Sequence, residues 1–136
     1  MSRSGYTEDI DDWEAQLQAN CYRGAVESAI RGRRGQAFLR EMREALDAMP
    51  VKRLISHELE QGGEVCAIGS VGARRGINMS NLDPDAIESV AGKFGIAEAL
   101  AREIVYENDE GKWGAETPEE RWQRMRAWVD RQIPKD

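Results

Sequence analysis

Apolar side chains recur at helical spacing along most of this chain. A first stripe, at i, i+3 and i+7, comprises Ile10, Trp13 and Leu17. Thr7 or Asp9 can cap the helix that this stripe predicts. A second stripe, shifted in phase, comprises Tyr22, Val26, Ala29 and Ile30. We therefore expect one helix that turns its buried face along its length, or two helices that separate near Asn20.

Glycines and a proline delimit the next helix. Gly32 and Gly35 are expected to end the first helix, because glycine is a poor helix-interior residue and reaches positive φ without a Cβ clash. The second helix has the clearest apolar stripe of the chain: Leu39, Met42, Leu46 and Met49, widened by Phe38 and Ala45. Pro50 is expected to end it.

Residues 51–76 are ambiguous between strand and helix. Leu54-Ile55 and Val65-Ile68 could flank a hairpin turn at Gln61-Gly62-Gly63. Two short helices around that turn fit equally well. Because strict alternation of apolar and polar residues is missing, we favour helix or mixed structure here.

Helical patterns return from residue 82 onward. Asp83 is expected to cap a helix with Pro84 at its first position, and its buried face comprises Ile87, Val90, Ala91 and Phe94. Gly95 turns the chain into a helix lined by Ile96, Leu100 and Ile104. Residues 108–116 are expected to form a loop, and Thr117-Pro118-Glu119-Glu120 a capping box. Facing inward from the last helix are Trp122, Met125, Val129 and Ile133. The sequence thus predicts an all-α (mainly α) fold, a single domain over residues 1–136 with five to seven helices and a possible short hairpin in 51–76.

The segment 86–105 has the spacing of a helix-turn-helix, with Gly95 at the turn. Its second helix lacks the outward Arg, Asn, Gln, Ser and Thr side chains that recognise base edges. Residues 98–120 carry eight acidic and two basic side chains, a local net charge of −6. This charge opposes a phosphate backbone, so we favour a purely architectural corner and keep a DNA- or RNA-binding role as the alternative.

Positive charge concentrates elsewhere, between Arg23 and Arg43. That stretch holds six arginines and two glutamates, a local net charge of +4 in a chain of net charge −6. Arg31, Arg33 and Arg34 crowd the expected corner between two helices, and a guanidinium group suits bidentate contact with carboxylate or phosphate. They form either a solvated corner paired with acidic segments such as residues 8–14, or a docking patch. As ligands of such a patch, we favour an acidic protein over nucleic acid.

The acidic clusters also allow two interpretations. Residues 7–14 hold five acidic side chains and residues 106–110 hold three, as helix starts and solvated loops often do. The alternative is a docking face for a basic partner, formed by Glu107, Asp109 and Glu110 with Trp113 as an exposed anchor.

Enzyme, metal and membrane signatures are weak in this sequence. Cys21 and Cys66 are too few for a disulfide framework or a metal cage, and His57 lacks a partner at metal-binding spacing. We expect no catalytic residues, cofactor or metal, and regard a Cys66–His57 enzyme as the weakest hypothesis. No apolar run approaches the ~18–20 residues of a membrane span. We expect a cytoplasmic protein of undetermined oligomeric state.

Several segments resemble a family of small proteins carried by tailed phages and prophages of proteobacteria. They are SGYTEDIDDWE, RGAVESAIRGRRGQAFLREM, ALDAMPVKRLI, YENDE and TPEERW. The resemblance covers nearly the full chain, and RGRRGQAFLREM is its most specific part. It implies expression in the cytoplasm of a bacterial host and assigns no reaction. We therefore expect a non-enzymatic accessory protein that binds and modulates a host protein, for example as an inhibitor of a CRISPR or other defence complex.

Overall fold

The fold is mainly helical. The computed structural model describes residues 3–4 and 13–135, with side chains in the first helix described from Cys21 onward. In this part of the chain six helices follow one another: α1 (Trp13–Arg31), α2 (Arg33–Ala48), α3 (Ala67–Arg75), α4 (Ile87–Phe94), α5 (Glu98–Glu110) and α6 (Pro118–Gln132). Between α2 and α3, β1 (Glu60–Gln61) pairs antiparallel with β2 (Glu64–Val65). The prediction of an all-α fold with five to seven helices is confirmed.

The helices α2 and α5 lie at the centre of the bundle. α2 packs against α1, α3 and α6, while α5 packs against α1, α3, α4 and α6. Leu39, Met42 and Leu46 of α2 and Leu100 and Ile104 of α5 are fully buried in one shared core. Burying a side chain of this size contributes about 1.5–3 kcal/mol each. The predicted stripes of these two helices are therefore the faces that hold the fold together.

The first two helices meet at a tight corner. α1 runs unbroken through Asn20, which confirms one continuous helix. The expected cap at residue 7 or 9 and the stripe of residues 10, 13 and 17 lie outside the described side chains. Gly32 separates α1 from α2, as expected. The expectation for Gly35 was wrong: it lies inside α2, buried against the backbone carbonyl of Ala29. Close approach of the two helices, rather than helix termination, is what requires glycine there.

Residues 51–76 form mixed structure. The hairpin turns at Gly62-Gly63, both at positive φ, but its strands are two residues each, and Leu54-Ile55 lie outside them. α3 follows directly, and its Gly69 lies against the carbonyl group of Leu59. The mixed alternative is thus confirmed, with a shorter hairpin than the apolar pattern suggested.

The C-terminal half differs from the prediction at two boundaries. Asp83 does not cap a helix: its carboxylate accepts a hydrogen bond from the amide of Asp85 at 2.9 Å, within a turn that precedes α4. α5 continues to Glu110, so residues 108–110 belong to a helix and the loop begins at Gly111. The capping box at Thr117 is confirmed, since Thr117 and Glu120 exchange hydrogen bonds of 2.9 and 3.1 Å.

Candidate functional site

The corner between α1 and α2 is held firmly to the rest of the bundle. Gly32 has an extended backbone and caps α2 without a side chain. The side-chain amide of Gln36 donates to two carbonyl oxygens, that of Ile30 at 2.8 Å and that of Gln132 at 2.9 Å. These bonds satisfy a free carbonyl at the end of α1 and tie the corner to the end of α6. The corner is therefore a fixed surface on the bundle.

Three arginines project from this corner into solvent. Arg31, Arg33 and Arg34 are exposed, and we refer to them as the arginine corner. No carboxylate among the described residues pairs with them; the acidic segment 8–14, their expected partner, lies largely outside these residues. The contrast with other surface arginines is clear, because Arg75 and Arg126 each hold a carboxylate at 2.6–3.0 Å.

The backbone adds to this positive charge. The first turn of α2 contains no acidic residue, and no side chain in the described part of the chain caps its free amide groups. A helix start carries about half a positive elementary charge, which an acidic side chain usually offsets. Here guanidinium groups stand at the same end. Within the described residues, the arginine corner is therefore a positive patch without a paired carboxylate, on a chain of net charge −6.

The second helix of the helix-turn-helix-like segment is packed into the bundle. Gly95 turns the chain in the left-handed conformation between α4 and α5, as expected. α5, which would have to enter a DNA groove, lies between α1, α3 and α4. All of its residues are described, and Glu98 and Glu110 are the exposed ones. Carboxylates at both ends and packed neighbours along its length make this helix unsuited to reading bases.

The residues of the expected acidic face differ in their exposure to solvent. Trp113 is 93% exposed, in the loop after α5, and Glu110 is exposed as well. Glu107 is half-buried, and its pKa is raised by burial and by the neighbouring charge of Glu103. Asp109 is directed inward. The structure therefore leaves Glu110 and Trp113 as the accessible members of this group.

Asp109 forms a buried ion pair with Arg3, a residue that the sequence did not single out. Asp109 Oδ1 accepts hydrogen bonds from Arg3 Nη2 at 2.8 Å and from the backbone amide of His57 at 3.1 Å. Asp109 Oδ2 accepts from Arg3 Nε, so the pairing is bidentate. Both side chains are 1% exposed. Burial raises the pKa of Asp109, but the hydrogen bonds and charge of Arg3 outweigh it, and the pKa lies below its ordinary value.

Asn108 organises the residues around this pair. Its Oδ1 accepts from the amide of Ala67 at 3.1 Å, and its Nδ2 donates to the carbonyl of Ile55 at 2.9 Å. Nδ2 also lies 2.9 Å from Asp109 Oδ1. One buried amide side chain thus joins the end of α5, the start of α3 and the loop before the hairpin.

The candidate enzymatic pair, His57 and Cys66, lies close to the ion pair of Arg3 and Asp109. His57 has a φ of 70° and a side chain that is 64% exposed, with Nδ1 3.7 Å from Asp109 Oδ2. Cys66 is buried and caps α3, where its Sγ accepts from the amide of Gly69 at 3.4 Å. The thiol therefore has a structural contact of its own, and the imidazole faces solvent.

A cavity of about 420 Å³ lies between the end of α2 and the hairpin; Met49, Val51 and Val65 are among its lining residues. In the described residues, no group of three or more His, Cys, Asp or Glu side chains could hold a metal ion. Nor does any helix found there have the length and apolar character to cross a membrane.

No family model, curated protein or solved structure matches the chain.

Proposed function

We propose that this chain is a non-enzymatic phage or prophage accessory protein of the bacterial cytoplasm that binds and modulates a host protein through the arginine corner. The partner presents an acidic surface to Arg31, Arg33 and Arg34. A bacterial defence complex, CRISPR complexes included, is the first class of partner to test. The phage origin and this class of partner rest on the family resemblance of the sequence.

The observation that carries the proposal is the exposed positive charge of the arginine corner. Its guanidinium groups are exposed and lack a carboxylate among the described residues, whereas most other arginines of the bundle have one. Guanidinium groups bind carboxylates bidentately and are enriched at protein interfaces. Because Gln36 holds the backbone of the corner in place, binding of a partner has to order mainly the exposed arginine side chains.

An acidic protein suits the corner better than nucleic acid does. The chain carries a net charge of −6, which repels a polyanion at long range and does so most strongly at low salt. The helix that would read bases exposes carboxylates, as described above. A local positive patch on such a chain can still pair with a patch of carboxylates, because the contact is short-ranged and directional.

A capture experiment with two charge-matched variants tests the proposal. Wild type is compared with the triple variant Arg31→Ala, Arg33→Ala, Arg34→Ala in a nuclease-treated lysate of the bacterial host. The control replaces Lys93, Lys112 and Lys135 by alanine. It removes the same three charges from exposed lysines outside the corner. We expect the arginine variant to recover the specific partner at least about tenfold less, equivalent to 1.4 kcal/mol, and the lysine variant to match wild type.

Two results would overturn this function. Equal recovery by the wild type and the arginine variant would remove the corner as a docking site. A shift of duplex DNA, single-stranded DNA or RNA at low salt, lost in the arginine variant alone, would instead support the nucleic-acid alternative, since counterion release makes such binding steeply salt-dependent.

A further inference from the structure

A second binding site lies at the C-terminal end of α5, where Arg3 occupies a fitted pocket. The Arg3 side chain pairs bidentately with Asp109, and Arg3 as a whole is only 4% exposed. The residue that follows is held as well. Ser4 Oγ donates to Glu110 Oε2 at 2.9 Å, and Arg102 Nη1 donates to the carbonyl of Ser4 at 2.6 Å. Residues 3–4 are thus bound in the manner of a peptide ligand: one side chain enters a charged pocket, and one backbone carbonyl is fixed.

The pocket is built by contacts that do not involve residues 3–4. Asn108 fixes the end of α5 to Ala67 and Ile55 through two buried hydrogen bonds. His57 has a left-handed backbone conformation, which residues other than glycine rarely adopt, and its amide group donates to Asp109. The carboxylate of Asp109 is therefore held in place by the bundle itself, which is the condition for a preorganised site.

One nitrogen of Arg3 has no acceptor in the part of the chain that the structure describes. This atom, Nη1, is buried. A buried donor without an acceptor weakens the state that contains it. A ligand that presents the same guanidinium group and also supplies an acceptor for this nitrogen can displace residues 3–4.

We propose that Asp109, Glu110 and Arg102 form a binding pocket for an arginine-containing extended segment of a partner protein, and that residues 3–4 occupy it as an internal competitor. This site is separate from the arginine corner and does not depend on the function proposed above. Arginine is favoured over lysine because two carboxylate oxygens face two nitrogens of one planar group. A small residue after the arginine is favoured because the Ser4 side chain is fully buried against Glu110.

A peptide-binding measurement on full-length protein tests the pocket. The probe is a labelled peptide of the sequence Met-Ser-Arg-Ser-Gly-Tyr, and the protein is the Arg3→Ala variant, in which the pocket is vacated. By fluorescence anisotropy we expect the variant to bind the peptide at least tenfold more tightly than wild type, because the internal competitor is gone. Replacing the peptide arginine by lysine should weaken binding about tenfold, and adding Asp109→Asn to the variant should abolish it. Glu88→Gln, which removes an exposed carboxylate from α4, should leave binding unchanged.

A thiol-reactivity measurement reports whether the peptide refills the pocket. Cys66 is buried, and its thiol lies near the Arg3 guanidinium group. In a Cys21→Ser background, we expect Cys66 of Arg3→Ala to react with a thiol reagent faster than Cys66 of the protein that retains Arg3, and a saturating concentration of the peptide to slow the reaction of Arg3→Ala about tenfold. Unchanged reactivity would overturn the proposal. So would equal binding, by folded Arg3→Ala, of the arginine peptide and a peptide with alanine in its place.

Discussion

Two glycine-to-alanine substitutions, one on each side of the first corner, are expected to change stability in opposite directions. Gly24 lies within α1, and a Cβ built there meets no atom within 4 Å. Gly35 lies within α2, and a Cβ built there falls far below 3.0 Å from the carbonyl oxygen of Ala29. The obstacle is backbone, which cannot rotate aside, so α1 and α2 must move apart. The same chemical change is therefore favourable at one position and strained at the other.

The magnitudes follow from helix propensity and packing. Alanine is more favourable than glycine in a helix interior by about 0.8–1.0 kcal/mol, which is the expected gain for Gly24→Ala. At Gly35 the same gain is offset by overpacking, which typically costs about 1–3 kcal/mol and more where backbone must move. Because backbone must move here, we take the overpacking cost as about 2–4 kcal/mol, so Gly35→Ala should lower the free energy of unfolding by about 1–3 kcal/mol. The two variants should then differ by about 2–4 kcal/mol.

Urea denaturation followed by circular dichroism at 222 nm measures this difference. With a slope of about 2 kcal/mol per molar urea, Gly35→Ala should lower the midpoint by about 1 M and Gly24→Ala should raise it by about 0.5 M. The slopes should match, since both variants retain the same buried surface. A Gly35→Ala protein as stable as wild type would refute the close approach of the two helices and the geometry of the arginine corner that depends on it.

Three other predictions concern the capping box, the tryptophans and the buried ion pair. Thr117→Ala should lower the unfolding free energy by about 1 kcal/mol because α6 loses its cap. The control Glu119→Ala, at an exposed position two residues further on, should lower it by less than about 0.5 kcal/mol. Trp113→Ala should leave the unfolding free energy within about 0.5 kcal/mol of wild type because the ring is 93% exposed, whereas Trp128→Ala should cost about 3–5 kcal/mol. Asp109→Asn should cost about 3–5 kcal/mol at neutral pH, since it leaves Arg3 buried without a counter-charge. The fold lowers the pKa of Asp109, so its charged carboxylate stabilises the fold fully above the unfolded pKa of about 3.9, and this stabilisation is lost as pH falls through the folded pKa. In urea melts, the difference in unfolding free energy between wild type and Asp109→Asn should therefore shrink over that pH range.

Most helices were predictable because each buries one stripe at regular spacing. Leu39, Met42 and Leu46 lie on the face that the pattern assigned, and so do Ile87 and Phe94. The hairpin was only partly predictable, because strands of two residues are too short to show alternation. The start of α4 was misplaced because Asp83 bonds a nearby amide within a turn. An aspartate before a proline has the same sequence signature in a turn and at a helix start.

The exposure of the arginine corner was foreseen, but the environment of Asp109 was not. Arg31, Arg33 and Arg34 lie beside a glycine between two helices, and local pattern alone places such residues at the surface. Asp109 was expected in an exposed loop. It is buried because its partner is Arg3, 106 positions earlier, and no local feature of the sequence connects the two. Pairing over such a separation is a product of tertiary packing, which composition and periodicity do not encode.

Asn108 couples the local opening of three separate parts of the chain. Its amide group holds the first amide of α3 and a carbonyl of the preceding loop to the end of α5. None of these parts can open alone without leaving a buried donor or acceptor unsatisfied. Solvent deuterium should therefore reach the Ala67 amide only through an opening that also frees α5, at the slow rate of the central helix rather than at the faster rate usual for a helix end.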